Sequence, residues 1–366
     1  MTAFGGPAMI AYIRKMAVDE RHWLDDVTFR DGVALCQAIP GATAMQTAAY
    51  VGLRARGLIG AAASFVGFGL PAFTIMMVLS SLYVRGHELP MAVSAFAGLG
   101  ALVVAVIANA TVSFGARTLL KWQGMLIAFT AAGLFGLGMN PLVVIPSAAL
   151  LGLLLLKTKG LPAGPLASPH SPYSPRAFIN LLVLTGAALT LLLIADPRLF
   201  KLAVLMAKID ISAFGGGFAS VPLMFREVVD VRHWLDGLTL MNGIALGQVT
   251  PGPIVITATF IGYLLYGPLG GIVATISVFL PSFLVIVGVA PYYDRLRVSG
   301  HFQKAIAGIL CSFVGLLLSV TVRFAMNVSW DLRHILLAVA AFVALRLKAN
   351  ILWVVLIGTI ISVLVF

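Results

Sequence analysis

A set of motifs occurs twice in this chain, in the same order and at nearly constant spacing. The first copy reads Phe4-Gly5-Gly6-Pro7, then His22-Trp23-Leu24-Asp25, then Gln37-Ala38-Ile39-Pro40-Gly41. The second reads Phe214-Gly215-Gly216-Gly217, then His233-Trp234-Leu235-Asp236, then Gln248-Val249-Thr250-Pro251-Gly252-Pro253. The offset is 210 at the phenylalanines (214 − 4), 211 at the histidines (233 − 22), and 210 again between Gly52 and Gly262. It persists through Gly57, Pro71, Phe114 and Asn140 against Gly267, Pro281, Phe324 and Asn350. One register held over most of each half marks a duplicated unit, and any fold must accommodate two copies of it.

The medium for that fold follows from polarity. Of 366 residues 60% are hydrophobic and only 10% charged, against about 25% charged in soluble domains. Mean hydropathy is +1.05, and apolar runs of helical length recur throughout, so the chain reads as an all-α, polytopic integral membrane protein. The net charge of +11 belongs to short loops that orient such a protein, not to nucleic-acid binding. Cys36 and Cys311 sit in apolar sequence outside any Cys/His cluster, so neither a disulfide framework nor a metal or cofactor site is expected. No cleavable signal peptide is expected either.

In chain order, residues 1–157 form the first unit. Residues 158–177 are a solvated linker carrying Pro162, Pro165, Pro169, Pro172 and Pro175. Residues 178–197 hold one extra transmembrane helix, and 198–366 form the second unit. Each unit contains about six apolar segments, with spans expected at 58–84, 90–116, 122–138 and 141–156 in the first. The unpaired helix between them inserts the second unit upside down. Loop charges agree: Arg54 and Arg56 precede Gly57 while the Gly267 turn is uncharged, and Asn140-Pro141 is uncharged while Arg346 and Lys348 flank the matching turn. Opposite charge at matching loops is what inverted topology requires.

The repeated motifs suit an anion site. Glycine pairs in an apolar run permit either close helix packing or unwinding. Their recurrence beside a Pro-Gly helix start in both units favours discontinuous helices meeting near the midplane. Proline suits a helix start, and the orphan N–H groups there, at 41–44 and 252–256, attract anions. Gln37 and Gln248 can each donate an amide to such an anion or instead cap a helix. Lys15, Asp19 and Arg21 align with Arg226, Asp230 and Arg232, either as interfacial ion pairs or as an anion funnel or gate. Lys208 and Asp210 lie inside an apolar run, and Glu227 follows the second glycine motif. These are gating or coupling candidates. Spaced at i and i+2, Lys208 and Asp210 do not share a helix face.

The combination of Phe-Gly-Gly, Trp-Leu and Gln-x-x-Pro-Gly-Pro, repeated in two halves, resembles the chromate ion transporter family of the long, two-unit type. The second half, with Leu280-Pro281-Ser282, is most similar. The resemblance implies a secondary transporter in the inner (plasma) membrane. It would export chromate from the cytoplasm by alternating access, coupled to the proton gradient. Another tetrahedral oxyanion such as sulfate, imported or exchanged, shares the same shape and charge. A membrane-embedded enzyme would need a deep nucleophile, metal cluster or carboxylate pair, and the motifs for these are missing. A passive anion channel would build no proton-dependent gradient. The substrate-binding expectation covers Phe4, Gly5, Gly6, Pro7, Gln37, Pro40, Gly41, Phe214, Gly215, Gly216, Gly217, Gln248, Pro251, Gly252 and Pro253. The partners are a small oxyanion and the lipid bilayer, with a homodimer as one assembly the reading allows.

The first unit departs from the pattern in two places. It has Ala42 where the second has Pro253. It also leads into its glycines with only Met1, Thr2 and Ala3, whereas residues 198–213 precede the second set, about 24 Å of helix. The expectation is that the working protein begins upstream with an apolar run of roughly 15–20 residues, enough to reach into the ~30 Å hydrocarbon core.

Overall fold

The computed structural model describes residues 6–86, 90–156, 175–293, 296 and 298–366. Phe4, Gly5 and nearly all of the Pro-rich linker lie outside these residues. Every regular element among the described residues is helical. The first unit comprises α1 (Gly6–Arg14), a π-helical turn (Lys15–Glu20), α2 (Asp26–Ala38), α3 (Thr43–Gly86), α4 (Pro90–Thr118), α5 (Trp122–Gly136) and α6 (Pro141–Leu155). After α7 (Pro175–Ala195) the second unit begins with α8 (Pro197–Ser212), α9 (Ser220–Met224) and a π-helical turn (Phe225–Val231). It continues through α10 (Gly237–Val249), α11 (Thr257–Val289), α12 (Gly300–Asn327), α13 (Leu332–Arg346) and α14 (Ile351–Val365).

The repeat extends to individual backbone angles. Both π-helical turns end at a histidine with positive φ, 51° at His22 and 52° at His233. Asp25 then accepts from the Thr28 N–H at 2.8 Å, and Asp236 from that of Thr239 at 2.9 Å, capping α2 and α10 in the same way. Asn140 and Asn350 cap α6 and α14 through the N–H two residues on, each at 3.0 Å. The long helices α3 and α11 each fold back on themselves at a glycine of nearly identical geometry, Gly57 (φ 62°, ψ −152°) and Gly267 (φ 63°, ψ −154°). Only glycine adopts that conformation without strain. The arms it joins touch backbone to backbone, Gly52 against Gly60 and Gly262 against Gly270.

The units interlock rather than sitting side by side. The outer arms of α3 and α11 cross antiparallel: Phe65 meets Phe279 edge-on and Phe283 at a tilt, with centroids at 6.4 and 5.2 Å, while Met77 lies against Gly271. Helix α4 of the first unit packs on α13 and α14 of the second, and α12 packs on α5 and α6. Small residues occupy both crossings at matching positions, Gly98 against Ser362 and Gly308 against Gly152. Thr111 and Thr321, which are repeat equivalents, meet each other at 3.3 Å. A residue touching its own counterpart is what a local two-fold axis produces. Without a hydrophobic driving force between helices in lipid, such close backbone approach carries the packing.

Among the described residues, five helices or helical stretches are long and apolar enough to cross a membrane: Thr43–Gly86, Ser94–Thr118, Arg176–Ala195, Ile254–Tyr292 and Gly300–Asn327. The chain is thus an all-α, multi-pass membrane protein. The expected spans at 122–138 and 141–156 are shorter than anticipated, 15 residues each in α5 and α6, about 22 Å of helix. Helix α6 starts at Pro141 as expected, capped by Asn140, and ends at Leu155, one residue short; α5 ends at Gly136, two residues short. Helix α8 lies along α11, while α7 packs on α8 and touches α11 where Phe178 meets Gly288. The matching face of α3, at Leu70, Ile75 and Val78, is exposed.

A methyl group on Gly262 would stand 2.2 Å from the Gly270 carbonyl oxygen, whereas one on Gly67 would meet nothing within 4 Å. Gly262→Ala is therefore expected to destabilise the protein by about 1–3 kcal/mol and Gly67→Ala to leave it unchanged. Thermal unfolding of the two variants in the same detergent checks this, and equal melting temperatures would remove the arm-to-arm contact as a determinant.

Candidate functional site

Chain reversals bring the repeated motifs together. In the first unit α2 and the inner arm of α3 run back to back, Gly32 against Tyr50, so that residues 39–42 form a tip. In the second unit Gly243 packs on Phe260, which makes 250–256 the matching tip between α10 and α11. A third reversal lies at residues 213–217, because Lys208 on α8 meets Glu227 on the π-helical turn at 2.6 Å. Gly215 and Gly216, with φ of 93° and 94°, make this turn in the left-handed region that glycine tolerates.

The three tips meet. The Gly41 N–H donates to the Ala213 carbonyl at 2.9 Å. Gly216 faces the Thr43 hydroxyl, and Gly217 lies against Ile254 and Val255. Phe214 is partly buried beside this junction, while Phe114 and Leu310 wall Gly215. Each Pro-Gly segment also reaches across to the other unit's outer arm. Gly41 abuts Ser282 and Gly252 abuts Ala72, which are repeat-equivalent positions. A methyl on Gly41 would sit 1.9 Å from the Ser282 hydroxyl oxygen, and φ there is 114°. Pro40 and Pro251 precede these glycines. In the second unit a 3-10 turn, Ile254–Ile256, intervenes after Pro253 before the α-helix begins at Thr257. The first turn of each helix leaves N–H groups without intrahelical acceptors. Gly6 and Pro7 open α1.

The two glutamines differ. Gln37 is exposed on α2. Gln248 is buried, 9% exposed, and its Nε2 donor has no hydrogen-bond partner. Gln46, fully buried on the inner arm of α3, donates to the Pro40 carbonyl at 2.6 Å, leaving its own Oε1 unpaired. Unsatisfied buried amide atoms are uncommon and costly.

The charged candidates separate into two groups. Asp210, 1% exposed, accepts from the Ser282 hydroxyl at 2.7 and 2.9 Å. Ser282 in turn accepts from the Ala42 N–H at 3.0 Å. Lys208, two residues away, turns to Glu227, so the pair indeed occupies different faces. Glu227 also binds Arg232, with Arg226 3.9 Å away. Asp230 pairs with Arg323. In the first unit the aligned residues form surface pairs: Lys15 with Glu20 at 3.5 Å, and Asp19 with Arg14 at 3.2 Å. Ser282 entered the sequence reading only within the Leu280-Pro281-Ser282 motif and without a role, and Gln46 and Arg323 were not singled out. An arginine and a glutamine inside apolar helices were the available signals for two of them. Among the described residues no three His, Cys, Asp or Glu side chains gather as metal ligands.

A hydrogen bond to a charged group contributes about 1.5–3 kcal/mol, so Ser282→Ala alone should destabilise by that amount. Combined with Asp210→Leu, which removes the carboxylate as well, its cost should shrink. A double-mutant cycle from unfolding midpoints tests this, and strict additivity would show that the two side chains are not coupled.

The chromate transporter family profile matches residues 1–153 and 200–363. An uncharacterized transporter of Methanocaldococcus jannaschii is 42% identical over 367 residues, covering 100% of this chain and 91% of its own. A chromate transport protein of Cupriavidus metallidurans is 30% identical over 350 residues, covering 94% of this chain and 84% of its own. One of Pseudomonas aeruginosa is 30% identical over 339 residues, covering 89% and 78%. No solved structure matches the chain. A match over nearly all of both units places this chain in the chromate transporter family, a family of membrane transport proteins and not of enzymes.

Proposed function

We propose that the protein exports chromate from the cytoplasm across the plasma membrane, binding one oxyanion where the three tips meet. The observation that carries this reading is the buried, unpartnered Gln248 Nε2 at the 250–256 tip. It is a donor without an acceptor, next to Gly247, which packs on the helix start at 254–257. An amide donor together with helix N-termini suits a tetrahedral dianion, because none of these groups needs a compensating charge when the site is empty. Gly41, Gly215–Gly217 and Gly252 let backbone approach the ion, and Pro40, Pro251 and Pro253 hold the turns. Relatives named for chromate transport at 30% identity support chromate as the cargo.

In this reading the units alternate access by rocking about the antiparallel crossing of α3 and α11, one unit inverted relative to the other across the membrane. Proton coupling runs through Asp210. Its hydrogen-bond donor, Ser282, also holds Ala42 at the first unit's helix start, so a proton on Asp210 is felt at the junction between units. Lys15, Asp19, Arg226, Glu227, Lys208 and Asp230 line the approaches.

Labelled chromate should accumulate in inverted vesicles when a proton gradient is imposed. Excess sulfate measures how far the site separates the two oxyanions. Gln248→Ala should weaken chromate affinity by about 10–150-fold, the equivalent of a lost hydrogen bond to a charged group of about 1.5–3 kcal/mol. Accumulation indifferent to the gradient would reject coupling, and unchanged affinity would return Gln248 to a packing role. Cysteines placed at positions 56 and 267 should react with an impermeant reagent from opposite sides of the membrane. Reaction of both from one side would sink the inverted arrangement.

A further inference from the structure

We infer that Lys208, Arg226 and Arg232 form a second oxyanion site, separate from the tips, in which Glu227 is a tethered competitor that a tetrahedral dianion displaces. The inference rests on the oxyanion reading above and adds a second station to it.

The geometry is that of an occupied anion site. Glu227 Oε1 takes Lys208 Nζ at 2.6 Å and stands 3.9 Å from Arg226, while Oε2 takes Arg232. The carboxylate is 6% exposed and lies at the centre, whereas Lys208 and Arg232 are 32% and 33% exposed and form an open edge. Arg226 and Arg323 are anchored on the Gly138 and Gly136 carbonyls at 2.9 and 3.2 Å, at the end of α5. This holds the Arg226 guanidinium in place whether or not Glu227 is bound. Arg232 lies over the Trp234 ring at 5.4 Å.

Charge does not balance. Lys208, Arg226, Arg232 and Arg323 contribute four positive charges against Glu227 and Asp230, a net of +2 (4 − 2). Partly buried cations in excess of their carboxylates retain a desolvation cost that one glutamate leaves uncompensated. A tetrahedral dianion presents oxygens to the same lysine and guanidinium donors and brings two negative charges in place of one. The first unit lacks the arrangement: Met16 stands where Glu227 does, and Lys15 is 67% exposed. The station therefore belongs to one unit. Lys208 lies about 6 Å of helix before Ser212, so an ion leaving the tips along this hairpin meets it next.

Glu227→Gln removes the competitor's charge and keeps its shape. Purified protein in detergent should bind molybdate or sulfate about tenfold more tightly in this variant than in the parent, and Arg232→Gln added to it should abolish the gain. In the parent, saturating molybdate should protect Lys208 from an amine-reactive reagent, read by peptide mass spectrometry. That measurement stands even where Glu227→Gln fails to fold. Tightened binding with protection supports the site. Parent-like or weaker binding in folded Glu227→Gln, or unaltered Lys208 labelling in the parent, overturns it while leaving the tip site standing. A parent that binds no tetrahedral dianion at all overturns both.

Discussion

Backbone contact at glycine is the constraint on which the rest of this structure depends. In a bilayer the lipid is as apolar as the helices, so helices gain little by hiding leucine from their surroundings. They gain by approaching closely enough for main-chain atoms to touch. Gly52 with Gly60, Gly262 with Gly270, and Gly152 with Gly308 do this within and between the units. Because α4 and α12 each pack into the other unit's terminal helices, neither unit closes its own core. The interlock places the outer arms of α3 and α11 across each other, and that crossing presents Ser282 and Ala72 to the opposite unit's Pro-Gly tip.

The resulting symmetry is broken by charge. Both units carry the π-helical turn, the left-handed histidine and the aspartate cap, so the scaffold is duplicated faithfully. Among the described residues, the second unit buries a carboxylate against the first unit's helix start, through Asp210 and Ser282, and gathers cations around Glu227. At the equivalent of Ser282 the first unit has Ala72, and at that of Glu227 it has Met16. The backbone is two-fold, while the charged side chains are distributed unequally between the two units.

Sequence alone determined the membrane class, the duplication and the places where helices must break. These are local matters. Apolar length sets the medium, a fixed offset of 210 reveals the repeat, and Gly57, Gly267 and the Pro-Gly segments carry backbone requirements wherever they sit. The caps at Asp25, Asp236, Asn140 and Asn350 belong to the same class, since each acts on an N–H two or three residues away. The separate directions of Lys208 and Asp210 were legible too, because helical spacing dictates them.

Tertiary structure decided what those local signals are used against. Nothing near Gly41 in the chain reveals that it faces Ser282, 241 residues on (282 − 41). Gln37 and Gln248 occupy matching motifs, yet one is exposed and the other buried with an unsatisfied donor. Burial depends on which helices cover each position: among the described residues α10 packs on α4 and α14 as well as α11, whereas α2 packs chiefly on α3. The partnership of Asp230 with Arg323, 93 residues apart, and the anchoring of Arg226 on the end of α5 likewise depend on the interlock. A repeat in sequence specifies two similar backbones. Which of two equivalent side chains becomes buried, paired or left without a partner is set by the contacts between them, and those exist only after the units have assembled.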